Sequence, residues 1–175
     1  YQTTPQGLED SEVRFIELLK TYLETNKRKY ILKDKEVFLL RNLTRSKGVC
    51  FMEEVDRYYP DFMLWLKENN KQYLSFIDPK GIHNLGKIKK HPKVQLAHTI
   101  KKQESKIAAN SITKDKIILN SYIMAYSKFD EAQKHYNLTR KEFNEQNIFF
   151  IDDKSLNKYN IKPIDKLMKS ILVQN

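Results

Sequence analysis

Apolar side chains recur every three or four residues in three stretches of the chain, and this spacing predicts three amphipathic helices. The first covers residues 10–25, where Asp10 or Ser11 can cap it; the second opens near Pro92 and the third near Pro163. The side chains predicted to face the core are Phe15, Ile16, Leu19, Tyr22, Leu23, Leu96, Ala97, Ile100, Ile107, Leu167, Met168, Ile171 and Leu172.

Shorter apolar runs predict the strands. Residues 37–40 and 48–52 are expected to form two strands joined by a basic turn, and a central hairpin follows them. Further strands are predicted at 116–125 and 147–152, with two short helices between them, the second opened by a capping box at Thr139. This order of elements predicts an α/β fold in which a mixed central sheet is flanked by helices.

The central hairpin is predicted from "YPDFMLWLKENNKQYLSFIDPKG", residues 59–81. The Asn-Asn pair at 69–70 suits a two-residue turn, because asparagine tolerates the left-handed backbone region. Counting outward from this turn places Asp61 opposite Asp78, with Cβ atoms roughly 5 Å apart, and Lys80 on the same face. A slip of one residue would turn Asp61 to the other face. The cross-strand pairs expected from this register are Glu68–Lys71, Trp65–Leu74 and Phe62–Ile77.

Two carboxylates this close repel each other unless a cation lies between them. Hard oxygen ligands suit Mg²⁺, which keeps several waters and takes one or two protein carboxylates, and a bound metal can activate water and stabilise charge on a phosphate. Lys80 could orient or deprotonate that water and offset developing negative charge. The same residues also fit a purely structural interpretation, with Asp61 as a turn acid after Pro60 and residues 78–81 as an ordinary turn with a surface ion pair.

A further acid, Glu12, lies on the core-facing stripe of the first predicted helix, whereas Glu17 points to the other side. A carboxylate on a buried stripe needs a partner or a metal ion. Glu12 is therefore a candidate for the same site.

The formal net charge of +10 is concentrated in three stretches, residues 26–35, 41–48 and 80–93. Such an excess favours a polyanionic partner, most often nucleic acid. A general bias towards Lys and Asn is the alternative explanation.

A single cysteine, Cys50, excludes a disulfide framework and a cysteine-rich zinc site. No apolar run is long enough to span a membrane, and no secretory signal is present, so the reducing cytoplasm is the expected compartment. Because the chain starts at Tyr1, residues 1–10 are interpreted as a linker from an upstream region and residues 11–175 as one domain.

Pro60-Asp61 followed by Asp78-Pro79-Lys80 resembles the signature of the PD-(D/E)XK nuclease superfamily. The longer stretches "FLLRNLTRSKGVCFMEEVDRYYPDFMLW", "FIDPKGI", "ILNSYIMA" and "NIFFIDD" are similar to the nuclease domain at the C-terminal end of type III restriction subunits and related DEAD/DEAH-type helicase proteins. The resemblance covers about residues 11–152. It implies a restriction-endonuclease-like core of a helix, a three-stranded meander, a helix and a further strand.

The resemblance also implies roles for individual residues. Asp61, Asp78 and the carbonyl of Pro79 would bind Mg²⁺ or Mn²⁺, and Lys80 would assist the attacking water. Glu12 matches the additional glutamate that many members carry on the first core helix. Two weaker candidates are Glu53, a rival for that additional acid, and Gln95, which matches a glutamine in the following helix but also fits an ordinary surface position.

The implied activity is that of a metal-dependent endonuclease acting on double-stranded DNA in a restriction or antiphage system. The chain has no GxxxxGK[ST] motif, so a helicase region is expected elsewhere in the same polypeptide, and a methyltransferase subunit is a further expected partner. The alternative is a catalytically inactive nucleic-acid-binding or subunit-docking module of the same fold. The residues expected to contact DNA, unless they form only a solvated basic face, are Arg41, Arg45, Lys47, His83, Lys87, Lys89 and Lys90.

Overall fold

The computed structural model describes residues 7–26, 32–42, 48–52, 57–83, 85–110, 115–151 and 160–173. Its helices are α1 (Asp10–Asn26), α2 (Pro92–Thr99), α3 (Lys101–Asn110), α4 (Phe129–Tyr136), α5 (Arg140–Glu145) and α6 (Lys162–Leu172). Its strands are β1 (Glu36–Arg41), β2 (Phe51–Met52), β3 (Arg57–Tyr58), β4 (Phe62–Glu68), β5 (Lys71–Lys80), β6 (Lys116–Ala125) and β7 (Ile148–Phe150).

Five of the strands form one mixed, open sheet in the order β1-β4-β5-β6-β7. In this sheet β4 runs antiparallel to both β1 and β5, and β6 and β7 run parallel to β5. The two remaining strands, β2 and β3, form a separate small hairpin. The predicted α/β class with a mixed central sheet is therefore confirmed.

The predicted register of the central hairpin is also confirmed. Asn69 has a positive φ of 45°, and the β4–β5 ladder pairs Phe62 with Ile77, Trp65 with Leu74 and Glu68 with Lys71. The predicted charge pair at the turn is replaced, because the nearest ammonium to Glu68 is that of Lys35, with Nζ 2.8 Å from Oε1.

Helices cover both faces of the sheet. On one face, α1 and α6 bury an apolar cluster that includes Phe15, Ile77 and Leu167. On the other face, Phe76 and Ile123 belong to clusters that also contain side chains of α2, α4 and α5. Because side chains alternate along β5, Asp78 and Lys80 share the face of Phe76 and point towards α2.

Several predicted helices match closely. The helix expected at 10–25 is α1, with Phe15, Leu19 and Tyr22 buried. The capping box at Thr139 opens α5, where the Thr139 hydroxyl accepts the Glu142 N–H and the Glu142 carboxylate accepts the Thr139 N–H. The closing helix is α6, whose Leu167, Met168 and Ile171 are buried.

Two predicted elements were wrong in detail. Residues 48–52 do not add a strand to the main sheet; only Phe51–Met52 are extended, and they pair with β3. The helix from Pro92 is interrupted at Ile100, so that it becomes α2 and α3, and Ile107 is 38% exposed rather than inward. In α3, Lys101 and Glu104 contact β6, at Asn120 and Leu119.

Candidate active site

The predicted acids lie at the end of the sheet where β4 begins and β5 ends. Asp61 directly precedes β4, and Asp78 lies near the end of β5, where it pairs with Ile123 of β6. Their carboxyl groups are close enough that each shifts the pKa of the other. This is also the carboxyl end of the parallel strands, where open α/β sheets commonly bind ligands. The structure thus brings the two predicted acids together.

Asp78 is almost fully buried, with 2% of its side chain exposed. Burial by itself would raise the pKa of this carboxyl, but hydrogen bonding with Asp61 and the charges of Lys93 and Lys80 outweigh burial and lower the pKa. The shortest ion pair is with Lys93, whose Nζ lies 2.7 Å from Asp78 Oδ2. Asp78 is therefore held as a carboxylate by cations on two elements.

The pKa of Asp61 shifts in the opposite direction to that of Asp78. Burial raises the pKa of its carboxyl to about 8, and the hydrogen bond with Asp78 and repulsion from that carboxylate contribute to the increase. The pair therefore favours a single negative charge until a further positive charge is added.

Lys80 lies on the same face as Asp78, as predicted. Burial lowers the pKa of its ammonium; Asp78 opposes this effect, and the neighbouring Lys93 adds to it. The backbone of Lys80 is fixed because its carbonyl accepts the N–H of Tyr126 at 2.8 Å. A lysine with a lowered pKa beside two carboxylates is suited to proton transfer.

Asn42, directly after β1, fixes the segment that carries Asp61. Its buried side-chain amide donates to the carbonyls of Val49 and Pro60, both at 2.8 Å, and its Oδ1 accepts the N–H of Val49 at 2.9 Å. Its own N–H donates to the carbonyl of Asp61 at 2.8 Å. One buried side chain thus connects the end of β1, the chain leading to β2 and the turn before β4.

The Pro79 carbonyl, expected from the resemblance to join the metal ligands, accepts a hydrogen bond from Ser11 Oγ at 2.9 Å. A carbonyl oxygen has a second lone pair, so this bond leaves one acceptor position. The contact attaches the first turn of α1 to the end of β5.

Glu12 is buried, with 7% of the residue exposed, and it approaches the site from α1 on the other face of the sheet. Its Oε2 accepts the N–H of Glu9 at 2.8 Å and lies 3.7 Å from Nη2 of Arg41. Its charge helps to raise the pKa of Asp61. Glu12 is thus an electrostatic neighbour of the pair and is occupied by partners of its own.

The oxygen ligands that Asp61, Asp78 and Pro79 offer fit a hard divalent cation in part. Among the described residues, no group of three or more His, Cys, Asp or Glu side chains could hold a metal ion. Asp61 and Asp78 supply two carboxylates, and Pro79 offers a carbonyl. Mg²⁺ requires no more protein ligands than these, because it usually keeps several waters.

The residues predicted to contact DNA that the structure describes either end β1 or follow β5, at the end of the sheet where Asp61 and Asp78 lie. Lys87, Lys89 and Lys90 are exposed, before and within a short 3₁₀ turn that leads into α2. His83 is exposed, with Nε2 3.8 Å from a carboxylate oxygen of Glu131. Arg41, besides its contact with Glu12, donates to the Gly7 carbonyl at 2.8 Å.

Gln95, the remaining candidate among the described residues, bonds away from the pair. The side-chain amide of Gln95 donates to the carbonyl of Lys89, so it stabilises the entry to α2. Arg45, Lys47 and Glu53 lie outside the described residues.

Lys93 and Tyr58 are the residues of this site that sequence reasoning missed. Tyr58, on β3, is buried; its pKa is raised well above the usual value by burial and by the neighbouring carboxylates of Asp78 and Asp61. Lys93 lies 4.7 Å from the centroid of the Tyr58 ring. A signal for Lys93 was available: it precedes Leu96 and Ile100 by three and seven residues, on the inward stripe of α2.

Comparisons of the chain with known protein families, with curated proteins and with solved structures return no match. The structure shows an α/β fold with a five-stranded mixed sheet, and the nuclease resemblance stays a prediction from the residues. Within the described ranges, no helix is both long and apolar enough to cross a membrane.

Proposed function

We propose that this chain is a metal-dependent DNA endonuclease domain of restriction-endonuclease-like architecture. The observation that supports the proposal most strongly is the meeting of Asp61 and Asp78 at the carboxyl end of the parallel strands, with Lys80 on the same face. The order of a helix, an antiparallel meander, helices and a parallel strand agrees with the core that the resemblance implies.

In this proposal, Asp61 and Asp78 hold Mg²⁺ or Mn²⁺, with the Pro79 carbonyl as a further ligand. The metal would supply a Lewis acid that polarises the phosphate and lowers the pKa of bound water. Lys80 would orient the attacking water and, in its neutral amine form, accept the proton of that water; its lowered pKa makes the neutral form easier to reach. Hydrolysis of one phosphodiester bond then consumes one water and needs no other reactant.

The exposed lysines beside the site support a polyanionic substrate. Lys87, Lys89 and Lys90 lie in the segment between β5 and α2, next to the element that carries Lys93. Lysines at this position could neutralise phosphates of a DNA backbone and so bring a phosphodiester to the carboxylate pair. A helicase region in the same polypeptide, a methyltransferase subunit and a role in restriction or antiphage defence are further parts of the proposal, supported by the resemblance alone.

The proposal is tested by incubating supercoiled plasmid with the purified chain and Mg²⁺ or Mn²⁺. We expect cleavage by the parent, and we expect Asp78→Asn and Lys80→Ala to abolish it. The matched controls are Asp130→Asn and Lys134→Ala, which change the same residue types at exposed positions of α4 and should leave cleavage unchanged.

Other outcomes separate the alternatives. A chain that binds DNA but neither cuts it nor binds metal would instead be the inactive nucleic-acid-binding module. If the chain cuts only as part of the full-length polypeptide, cleavage depends on the motor region.

A further inference from the structure

The ion pair of Lys93 and Asp78 occupies a carboxylate oxygen that a metal would use. Asp78 Oδ2 is 2.7 Å from Lys93 Nζ, and the carboxylate is 2% exposed, so it depends on this partner for neutralisation. A magnesium ion on the same oxygen would lie about 2.1 Å from it. The two positive centres would then be at most about 5 Å apart.

The charge balance of the site points in the same direction. The carboxylates of Asp61 and Asp78 face the ammonium groups of Lys80 and Lys93, and His91 lies against the same group of charges. With both acids ionised, the two lysines already balance them. A divalent cation would leave an excess of two positive charges, which falls if one lysine moves away or gives up its proton.

Lys93 is the lysine that can move. Its side chain is 26% exposed, and it belongs to the first turn of α2, where a cation is opposed by the helix dipole. The Tyr58 ring, 4.7 Å from Nζ, offers the ammonium a second contact close to the site. Lys80, by contrast, belongs to a central strand whose backbone is paired with β6.

We propose that Lys93 competes with the divalent cation for Asp78, so that Lys93 is a positioning residue that sets the metal affinity of the site. This inference rests on the proposed function, because it requires a metal at Asp61 and Asp78. In this arrangement Lys93 keeps the buried carboxylate neutralised before metal binds and leaves Oδ2 when metal binds.

The test measures metal affinity without DNA, by calorimetric titration of Mn²⁺ into the parent and into Lys93→Met. Methionine keeps an unbranched apolar stem but removes the charge. We expect Lys93→Met to bind Mn²⁺ at least about fivefold more tightly than the parent, and Lys93→Arg to bind it no more tightly than the parent. Lys134→Met, at an exposed position of α4, is the matched control and should bind like the parent.

A second measurement uses the parent and does not depend on the folding of Lys93→Met. With lysine side chains isotopically labelled, the NMR signal of the Lys93 ammonium should shift on addition of Ca²⁺, whereas that of Lys134 should not. The Lys93 signal can be assigned by its loss in Lys93→Arg.

The outcomes distinguish this inference from the proposed function. Equal Mn²⁺ affinity in the parent and Lys93→Met, with an unmoved Lys93 signal, would overturn the competition and leave the metal site intact. Absence of Mn²⁺ binding in the parent and in both Lys93 variants would overturn the proposed metal site itself.

Discussion

Asn42→Ala tests whether one buried amide fixes the position of Asp61. The substitution removes three side-chain hydrogen bonds: two donated to the carbonyls of Val49 and Pro60 and one accepted from the Val49 N–H. Each such bond contributes about 0.5–1.5 kcal/mol net, and buried partners left unpaired add to the loss. We therefore expect the free energy of unfolding to fall by about 2–4 kcal/mol.

Denaturation in urea, followed by tryptophan fluorescence, measures this change through the midpoint and the m-value. The matched control is Gln133→Ala, which removes a side-chain amide from an exposed position of α4 and should change stability by less than about 0.5 kcal/mol. Asn42→Ala should also weaken Mn²⁺ binding, because the turn that carries Asp61 loses its anchor. A stability loss below about 1 kcal/mol, with unchanged Mn²⁺ affinity, would refute the positioning role.

Three further predictions follow from single features of the fold. Burial and the neighbouring Asp78 raise the pKa of Asp61 to about 8, so the folded protein holds a proton that the unfolded chain releases near pH 4. The free energy of unfolding should therefore fall as the pH rises from about 4 to about 8, by less than ~1.4 kcal/mol per pH unit because the Asp61 side chain is partly exposed. Asp61→Asn should flatten this slope in denaturation curves taken across that range. Asn69 has a φ of 45°, so Asn69→Val should destabilise the hairpin by about 1–2 kcal/mol while Asn69→Gly should not; equal melting temperatures for the two variants would contradict this expectation. Replacing three exposed lysines by alanine should weaken DNA binding and reduce the slope of log affinity against log salt by up to about three, whereas an unchanged slope would remove them from the interface. These lysines are Lys87, Lys89 and Lys90.

The central hairpin could be predicted because its signals are local and agree with one another. The Asn-Asn turn sets the register, and the apolar residues on both sides fit that register without a bulge. Counting outward from the same turn also places Asp61 opposite Asp78, so no tertiary information was needed to predict the carboxylate pair. For the same reason, α1 matches its predicted range almost residue for residue.

The partners of the pair depend on packing between distant elements. Lys93 reaches Asp78 only because α2 packs on the sheet against β6, the neighbour of β5, and Tyr58 comes near Asp78 through the small β2–β3 hairpin. An inward stripe containing Lys93 is visible in the sequence, but the stripe does not show which carboxylate the lysine meets. Glu12 illustrates the converse case, since its buried position was predicted but its partners, Glu9 and Arg41, were not.

The interruption at Ile100 could not be predicted from periodicity alone. The apolar residues before and after it fit one continuous helix, yet α2 ends at Thr99 and α3 begins at Lys101. In α3, Glu104 accepts the N–H of Leu119 on β6 at 2.6 Å, and Lys101 contacts both Glu104 and Asn120. These contacts between α3 and β6 are tertiary, and periodicity does not show them or the partial exposure of Ile107.

The central claim is that Asp61 and Asp78 hold a divalent cation that serves phosphodiester hydrolysis. It is tested most directly by the initial rate of plasmid cleavage as a function of Mn²⁺ concentration, for the parent, Asp78→Asn and the exposed control Asp130→Asn. The account predicts saturable, Mn²⁺-dependent cleavage by the parent and the control, and none by Asp78→Asn. Cleavage by Asp78→Asn at the rate of the parent would contradict it.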